Sequence, residues 1–339
     1  MMESLLLLAA ALVVVFAAAE LFTNALEYLG ERMGVSEGVT GSIFAAVGTA
    51  MPETIVPIVA ILAGGASVEV NHAVGMGAIL GAPFMLATLG IGIMALAGGL
   101  SRGWNQPLTP EPGGLSRDLR VFLPGFLLVV VSGLLPANWD EVRTAIAVAL
   151  ILFYFFYVLK TIQASRALVE DGHGTEAGNE LYAARLLPAA NGTAIVQLII
   201  ALALLIAGAR LFVSGAEEIS DLIGVSAFVV SLLIIPIATE MPEKVNSVLW
   251  IRRRKDTLAF GNMTGAMVFQ GTVIPAIGMM IMPWHIDLSS AAGVSIALTL
   301  AGAIWLALLH RGGRLTPRLL LLNVTLYLAF GVDIVLNFT

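Results

Sequence analysis

Long apolar runs separated by short polar breaks dominate this chain. Ten runs approach the roughly 20 residues a helix needs to cross a bilayer: 4–30, 37–64, 70–98, 119–136, 143–162, 193–218, 225–251, 257–282, 288–309 and 317–337. The apolar/polar alternation of an outer-membrane barrel strand does not occur. The pattern therefore predicts an all-α polytopic membrane protein. Ser101–Arg120, rich in Pro, Gly and charge, reads as a surface loop. The longest polar stretch, Ser165–Leu186, contains Glu170-Asp171-Gly172-His173-Gly174 and reads as a mobile linker. It divides the chain into a first half at 1–163, a polar cytoplasmic segment at 164–192 and a second half at 193–339, with five spans in each half.

Two of the runs carry the same defect. Gly48-Thr49-Ala50-Met51-Pro52-Glu53 and Ala238-Thr239-Glu240-Met241-Pro242-Glu243 each set a Pro, which has no backbone N–H, before a carboxylate that hydrocarbon excludes. At one offset of 190 residues the pairs Gly34-Val35-Ser36 and Gly224-Val225-Ser226, Val39 and Val229, and Thr49 and Thr239 also align. An odd number of spans per half sends the second half into the membrane from the opposite side. This is the inverted repeat of many secondary transporters, whose sites lie at broken helices near the midplane. Pro52 and Pro242 free carbonyls about one turn earlier, around Gly48 and Ala238, and freed groups in a bilayer must find protein, water or an ion. Carbonyl and Thr oxygens then face a cation, with Glu53 and Glu243 supplying charge. Hard cations such as Ca²⁺ take about six to eight oxygens, and two carboxylates balance one divalent ion, which Na⁺ or protons can replace in turn.

Charge distribution adds orientation. With loops alternating sides, Arg32, Arg102, Arg117, Arg120, Lys160, Arg166, Arg185, Arg252-Arg253-Arg254-Lys255, Arg311, Arg314 and Arg318 share one side, against Arg143 alone on the other. The positive-inside rule makes the first side cytoplasmic and places both termini outside, in a cell (inner) membrane. Only 12% of residues are charged and 58% are apolar, against about 25% charged in soluble domains. The chain has no Cys, which excludes disulfides, thiol catalysis and thiolate metal sites. The amino end lacks a positive n-region. Ala17-Ala18-Ala19 mimics a cleavage site, but the apolar run continues through Leu29, so a retained helix is expected. No Gly-x-Ser-x-Gly elbow or His-Glu-x-x-His helix occurs, so no enzyme, cofactor or nucleic-acid partner is expected. The expected partners are inorganic cations and the bilayer itself.

This constellation resembles the Ca²⁺/cation antiporter superfamily of Na⁺/Ca²⁺ and H⁺/Ca²⁺ exchangers. The likeness rests on Gly48-Thr49-Ala50-Met51-Pro52-Glu53, on Thr239-Glu240-Met241-Pro242-Glu243, and on Gly34-Val35-Ser36 with its partner. Gly77-Ala78-Ile79-Leu80-Gly81 and Gly261-Asn262-Met263-Thr264-Gly265 are similar to the family's Gly-Asn-x-x-Gly-Ser-Asn segments. The resemblance implies ten transmembrane helices in two inverted five-helix repeats. It also implies alternating access, with the long first and sixth helices sliding across the other eight. It makes Glu53 and Glu243 the central ligands, lines the ion sites with Thr49 and Thr239, and adds the carbonyls of Ala46 and Pro236. Departures cluster at the periphery. Ala50 and Glu240 replace the usual Ser, Gly81-Ala82-Pro83 and Gly265-Ala266-Met267 replace Gly-Ser-Asn, and Leu86 and Gln270 stand at the next polar position. These leave Na⁺ or H⁺ coupling, divalent selectivity and stoichiometry open.

Glu240 precedes Lys244 by four residues, the favourable order for a helical ion pair; alternatively it is a third cavity carboxylate that relays protons. Gln270 reads equally as a ligand or as an interhelical hydrogen bond. Asn246 shares a helical face with Glu243 and reads as orienting it, and Asn262 as bonding to backbone. Glu20 and Arg210 match between the first and sixth helices and read as a snorkelling or structural pair. His72, His285 and His310 are scattered singly at span ends. The leading function is antiport of Ca²⁺, or a related divalent cation, against Na⁺ or H⁺. The alternatives are an H⁺-coupled exchanger with Glu240 as relay, a cation channel, and a homologue that no longer transports. Oligomeric state is not legible.

Overall fold

The computed structural model describes residues 2–32, 51–63, 66–170, 181–185, 188 and 190–337. Among them all regular structure is helical: α1 (Met2–Arg32), α2 (Met51–Ala63), α3 (Val68–Met85), a π segment (Leu86–Gly90), α4 (Ile91–Arg102), α5 (Pro112–Leu134), α6 (Asp140–Glu170), a 3-10 turn (Tyr182–Arg185), α7 (Asn191–Ile223), α8 (Ala227–Thr239), α9 (Met241–Arg252), α10 (Asp256–Gln270), α11 (Val273–Ile281), α12 (Ala291–Arg311) and α13 (Pro317–Asn337). Described helix falls on every one of the ten predicted spans. Three spans are not single α-helices: α3 and α4 are joined by the π segment, and α8/α9 and α10/α11 are each broken.

The first helix of each half, α1 and α7, pack chiefly on each other. Their contact faces are small: Ala11, Ala18, Ala201, Ala209 and Ala216 are fully buried there. A Cβ on Gly208 would stand 2.8 Å from Val15. Small residues let helices approach in lipid, where no hydrophobic force separates protein from solvent. Helices α1 and α7 share one continuous apolar core with the remaining helices, in which Phe84, Phe122, Phe126 and Phe330 are fully buried.

Among the described residues the loop contacts group as the alternating topology predicts. At one end Arg318 N–H donates to Trp104 O at 3.0 Å, Leu108 N–H to Leu315 O at 2.7 Å, and Ser116 Oγ lies 2.8 Å from His310 Nε2. Arg102 forms a two-pronged buried pair with Asp256, at 2.9 and 2.5 Å, and also donates to the Ile251 carbonyl. Asp256 further accepts the Thr109 N–H at 2.8 Å. This pair ties the end of α4 to the start of α10. Arg102→Met should therefore lower stability by about 3 kcal/mol by stranding Asp256, whereas Arg102→Met/Asp256→Asn should recover most of that. Thermal unfolding of the two detergent-purified variants checks this; equal losses in both would contradict it.

At the opposite end Ile286 N–H bonds Gly133 O at 2.9 Å. Arg143, the lone basic residue there, is buried and caps the end of α5. It donates to the carbonyls of Ser132, Leu135, Pro136 and Ala137 and pairs with Asp140 at 2.6 Å. The exception to the charge bias is thus a helix-end donor answering orphan carbonyls.

The π segment follows Pro83, which interrupts the regular ladder of α3. Its Ala87 carbonyl accepts from the fully buried Asn323 of α13 at 2.7 Å, and Asn323 also bonds Gly302 O at 3.1 Å. Residues 171–180 of the expected linker lie outside the described residues. Helix α6 continues through Glu170, and Tyr182–Arg185 turns back onto α1 and α7. There Asn24 Oδ1 accepts the Tyr182 N–H at 2.9 Å, and Gln197 joins Asn24, the Leu21 carbonyl and the Ala183 N–H.

Candidate functional site

The second copy of the motif is a true helix break. Gly224, in the left-handed region at φ 70°, ends α7, and Ser226 caps α8 by accepting the Val229 N–H at 3.4 Å. That explains Gly-Val-Ser at this entry: Gly reverses the chain and Ser opens the next helix. α8 stops at Thr239, Glu240 sits between helices at φ −102°, ψ 8°, and α9 begins at Met241 with Pro242 in its first turn. Pro is tolerated there because the first helical N–H groups have no partner in any case.

Thr239 is buried, its hydroxyl donating back to Ile235 O at 3.3 Å. The Pro236 carbonyl accepts the Glu240 N–H at 3.1 Å. Glu240 is 0% exposed and Lys244 3%; Lys244 Nζ lies 2.6 Å from Glu240 Oε2 and 3.4 Å from Glu240 O. Of the two roles allowed for Glu240, pairing is the one the geometry displays, and Pro242 does not disturb it. Glu240 Oε1 is buried without a hydrogen-bond partner.

In the first half Glu53 lies in the first turn of α2, 4% exposed, where the helix dipole favours an acid. Thr49 and Ala46 fall outside the described residues, as does the Glu243 side chain, although its backbone lies in α9. Helix α2 packs on α3 and α7 and touches α8 and α11, the elements before the Glu240 break and after the Gly271–Thr272 break. Gln270 is the last residue of α10, before that second break, and is buried with no hydrogen-bond partner for Oε1. The interhelical hydrogen bond allowed for it is thus not made by this oxygen. Among the described residues no three His, Asp or Glu side chains group as a metal cage. A cavity of about 350 Å³ opens at the end away from the basic loops, among Ala73, Ser226, His285 and Asp287. None of the predicted site residues whose side chains are described lines it. The Ser289 hydroxyl and N–H hold the Asp287 carboxyl there below its usual range.

Several smaller expectations change. Asn246 is exposed, and the Glu243 side chain it was expected to orient lies outside the described residues. Ser247, one turn further along α9, is buried, and Asn262 Nδ2 donates to its Oγ at 3.0 Å. The i, i+4 spacing from Glu243 was the available signal for Ser247. Among the described residues Glu20 and Arg210 form no ion pair, and Arg210 is exposed toward the surroundings of α7, as snorkelling requires. A buried acid escaped the sequence reading. Asp118 of α5 accepts from Tyr157 Oη at 2.9 Å and from Thr264 Oγ1 at 2.6 Å, linking α5, α6 and α10. Gly77 and Gly81 serve as a contact surface, with α8 backbone against them.

Known proteins resemble this chain over nearly its whole length. The sequence profile described as "Sodium/calcium exchanger protein" matches residues 3–163 and 193–334. CaxA of Alkalimonas amylolytica is 28% identical over 305 residues, covering 90% of this chain and 89% of its own. The fold is similar to that of an H⁺/Ca²⁺ exchanger CAX, with TM-score 0.68, 17% identity, and coverage of 98% of this chain and 82% of the other. It is also similar to the sodium-calcium exchanger NCX_Mj, with TM-score 0.56, 19% identity and 99% coverage of both chains.

Proposed function

The chain belongs to the sodium/calcium exchanger family, and from that premise we propose that it is a secondary active antiporter. It exchanges Ca²⁺, or a divalent cation of like size and hardness, for Na⁺ or H⁺. Family membership makes it a multi-pass membrane cation exchanger; the ions and the ligands are this reading. The observation that carries it is Glu53, a carboxylate 4% exposed in the middle of a predicted span. Acids within membrane spans are rare and mark ion pathways and proton relays. Glu243, its repeat partner, is the second central ligand. Thr49, Thr239 and the carbonyls of Ala46 and Pro236 complete the cavity, with Gln270 Oε1 as a further oxygen. Glu53 and Glu243 hold either the divalent ion or its counter-ions, and α1 and α7 move together to switch access. Two inverted halves, basic loops in the cytoplasm and both termini outside an inner membrane complete the proposal.

Proton coupling is the form we favour, because Ala50, Ala82, Leu86 and Ala266 remove oxygens that would surround a Na⁺. Isotopic Ca²⁺ uptake into proteoliposomes under separately imposed pH and Na⁺ gradients tests both levels. Uptake driven by the pH gradient alone is expected. Uptake only with Na⁺ refutes proton coupling, and a conductance without counterflow refutes exchange.

A further inference from the structure

We propose that Lys244 is a tethered cation: its ammonium occupies a monovalent-cation position at the break between α8 and α9 and so sets how many ions the site exchanges. For its transport consequence the proposal rests on the exchanger reading above.

The surroundings of Nζ are those of an ion rather than of a surface lysine. Glu240 stands outside both helices, and its side-chain carboxylate and main-chain carbonyl both face the ammonium, at 2.6 and 3.4 Å. The carbonyl also accepts the Lys244 N–H at 3.2 Å, so the ammonium shares it with the first hydrogen bond of α9; a carboxylate with a carbonyl beside it, at a helix break, is the kind of place where broken membrane helices hold cations. A second carboxylate oxygen, Glu240 Oε1, is buried with no hydrogen-bond partner, which leaves acceptor capacity beside the cation. Both residues are almost wholly buried, at 0% and 3% exposure. Stability alone is a weak reason to keep such a pair, since the desolvation of two buried charges roughly offsets their attraction. A pair of apolar residues of similar volume would fill the same space.

Symmetry sharpens the point. At the repeat offset the partners of Glu240 and Lys244 are Ala50 and Thr54, so acid and base are present together in one half and absent together from the other. Either charge alone would change the site's charge by one. With both, the three carboxylates of Glu53, Glu240 and Glu243 and the one ammonium leave a net charge of two negative units. One divalent ion neutralises that, or two monovalent ions or protons. The exchange is therefore two monovalent cations per divalent, with no net charge moved.

The test removes the ammonium. Purified Lys244→Gln should acquire a saturable stabilisation by Na⁺, Li⁺ or K⁺ chloride over N-methylglucamine chloride, read as thermal unfolding, that the native protein lacks. Glu240→Gln/Lys244→Gln should lose it again. In proteoliposomes, the slope of the logarithmic Ca²⁺ gradient at equilibrium against the logarithmic driving-ion gradient should rise from two to three in Lys244→Gln. The proposal is overturned by an unchanged slope, by salt stabilisation that persists in the double variant, or by Lys244→Gln protein that no monovalent salt folds. A native protein that carries no Ca²⁺ would sink the exchanger reading instead, and the salt dependence of Lys244→Gln would still decide the role of Lys244.

Discussion

Glu53→Gln should reduce Ca²⁺ exchange in proteoliposomes by at least about 100-fold while leaving the protein folded. Removing one charge from a buried, desolvated ion contact costs about 3 kcal/mol or more, and each 1.4 kcal/mol is about tenfold in binding. Gln keeps the volume and one carbonyl oxygen, so packing around the first turn of α2 survives. A neutral amide costs less to bury than a carboxylate, which offsets what the carboxylate's own contacts contribute, so thermal stability should change little. This opposition is the useful signature: activity falls as stability does not. A structural role for Glu53 predicts the reverse, with exchange persisting in whatever protein remains folded. Glu243→Gln should behave alike, because the repeat places it at the corresponding position. Exchange at the native rate in either variant removes that residue from the ligand set.

Gly81→Leu should prevent accumulation of folded protein, for a reason unrelated to ions. A Cβ at Gly81 would sit 2.3 Å from the Leu232 carbonyl oxygen, and one at Gly77 would sit 2.3 Å from Phe228 O and 2.0 Å from Ser231 Oγ. Both neighbours belong to α8, and α3 packs more extensively on α8 than on any other described helix. Backbone cannot yield as a side chain does, so a leucine must wedge the two helices apart. The loss should exceed about 4 kcal/mol, the range reserved for gross steric or burial defects. Gly81→Ala should be milder but still destabilising. Size-exclusion profiles and thermal unfolding in detergent separate the three proteins. A monodisperse, normally stable Gly81→Leu would show that α3 and α8 do not meet this closely. Because α8 ends at Thr239, this contact also sets the depth of the Thr239–Glu240 break.

The spans were legible because a bilayer demands long apolar runs and leaves no other way to satisfy the backbone. The break at Glu240 was legible too, since Pro242 cannot continue the ladder of α8. The break at Gly271–Thr272 was not: one Gly in an apolar run is compatible with unbroken helix, and it is the close packing of Phe122 on Gly271 that marks the position. The π segment after Pro83 is similar, because a Pro announces a disturbance without saying which kind. Gly77 and Gly81 were read by likeness to an ion-site segment, whereas their present neighbours are backbone atoms of α8. Asp118 went unnoticed because it stands at the edge of a polar loop, where an acid is ordinary. Only the approach of Tyr157 and Thr264 makes it a buried acid.

By itself the sequence determined the class of molecule, the spans, the duplicated Pro-Glu defect and the segregation of basic loops. Each of these depends on the solvent a residue must enter or on the covalent limits of its own backbone. Only the tertiary structure decided which polar groups are joined: Asn323 to Ala87, 236 residues away, Arg102 to Asp256, and Asn262 to Ser247. Such pairs depend on distances between segments that the chain brings together only when the helices pack. Even Glu240 and Lys244, four residues apart, needed the fold, because local spacing permits an ion pair but burial on every side determines that the ammonium has nowhere else to go.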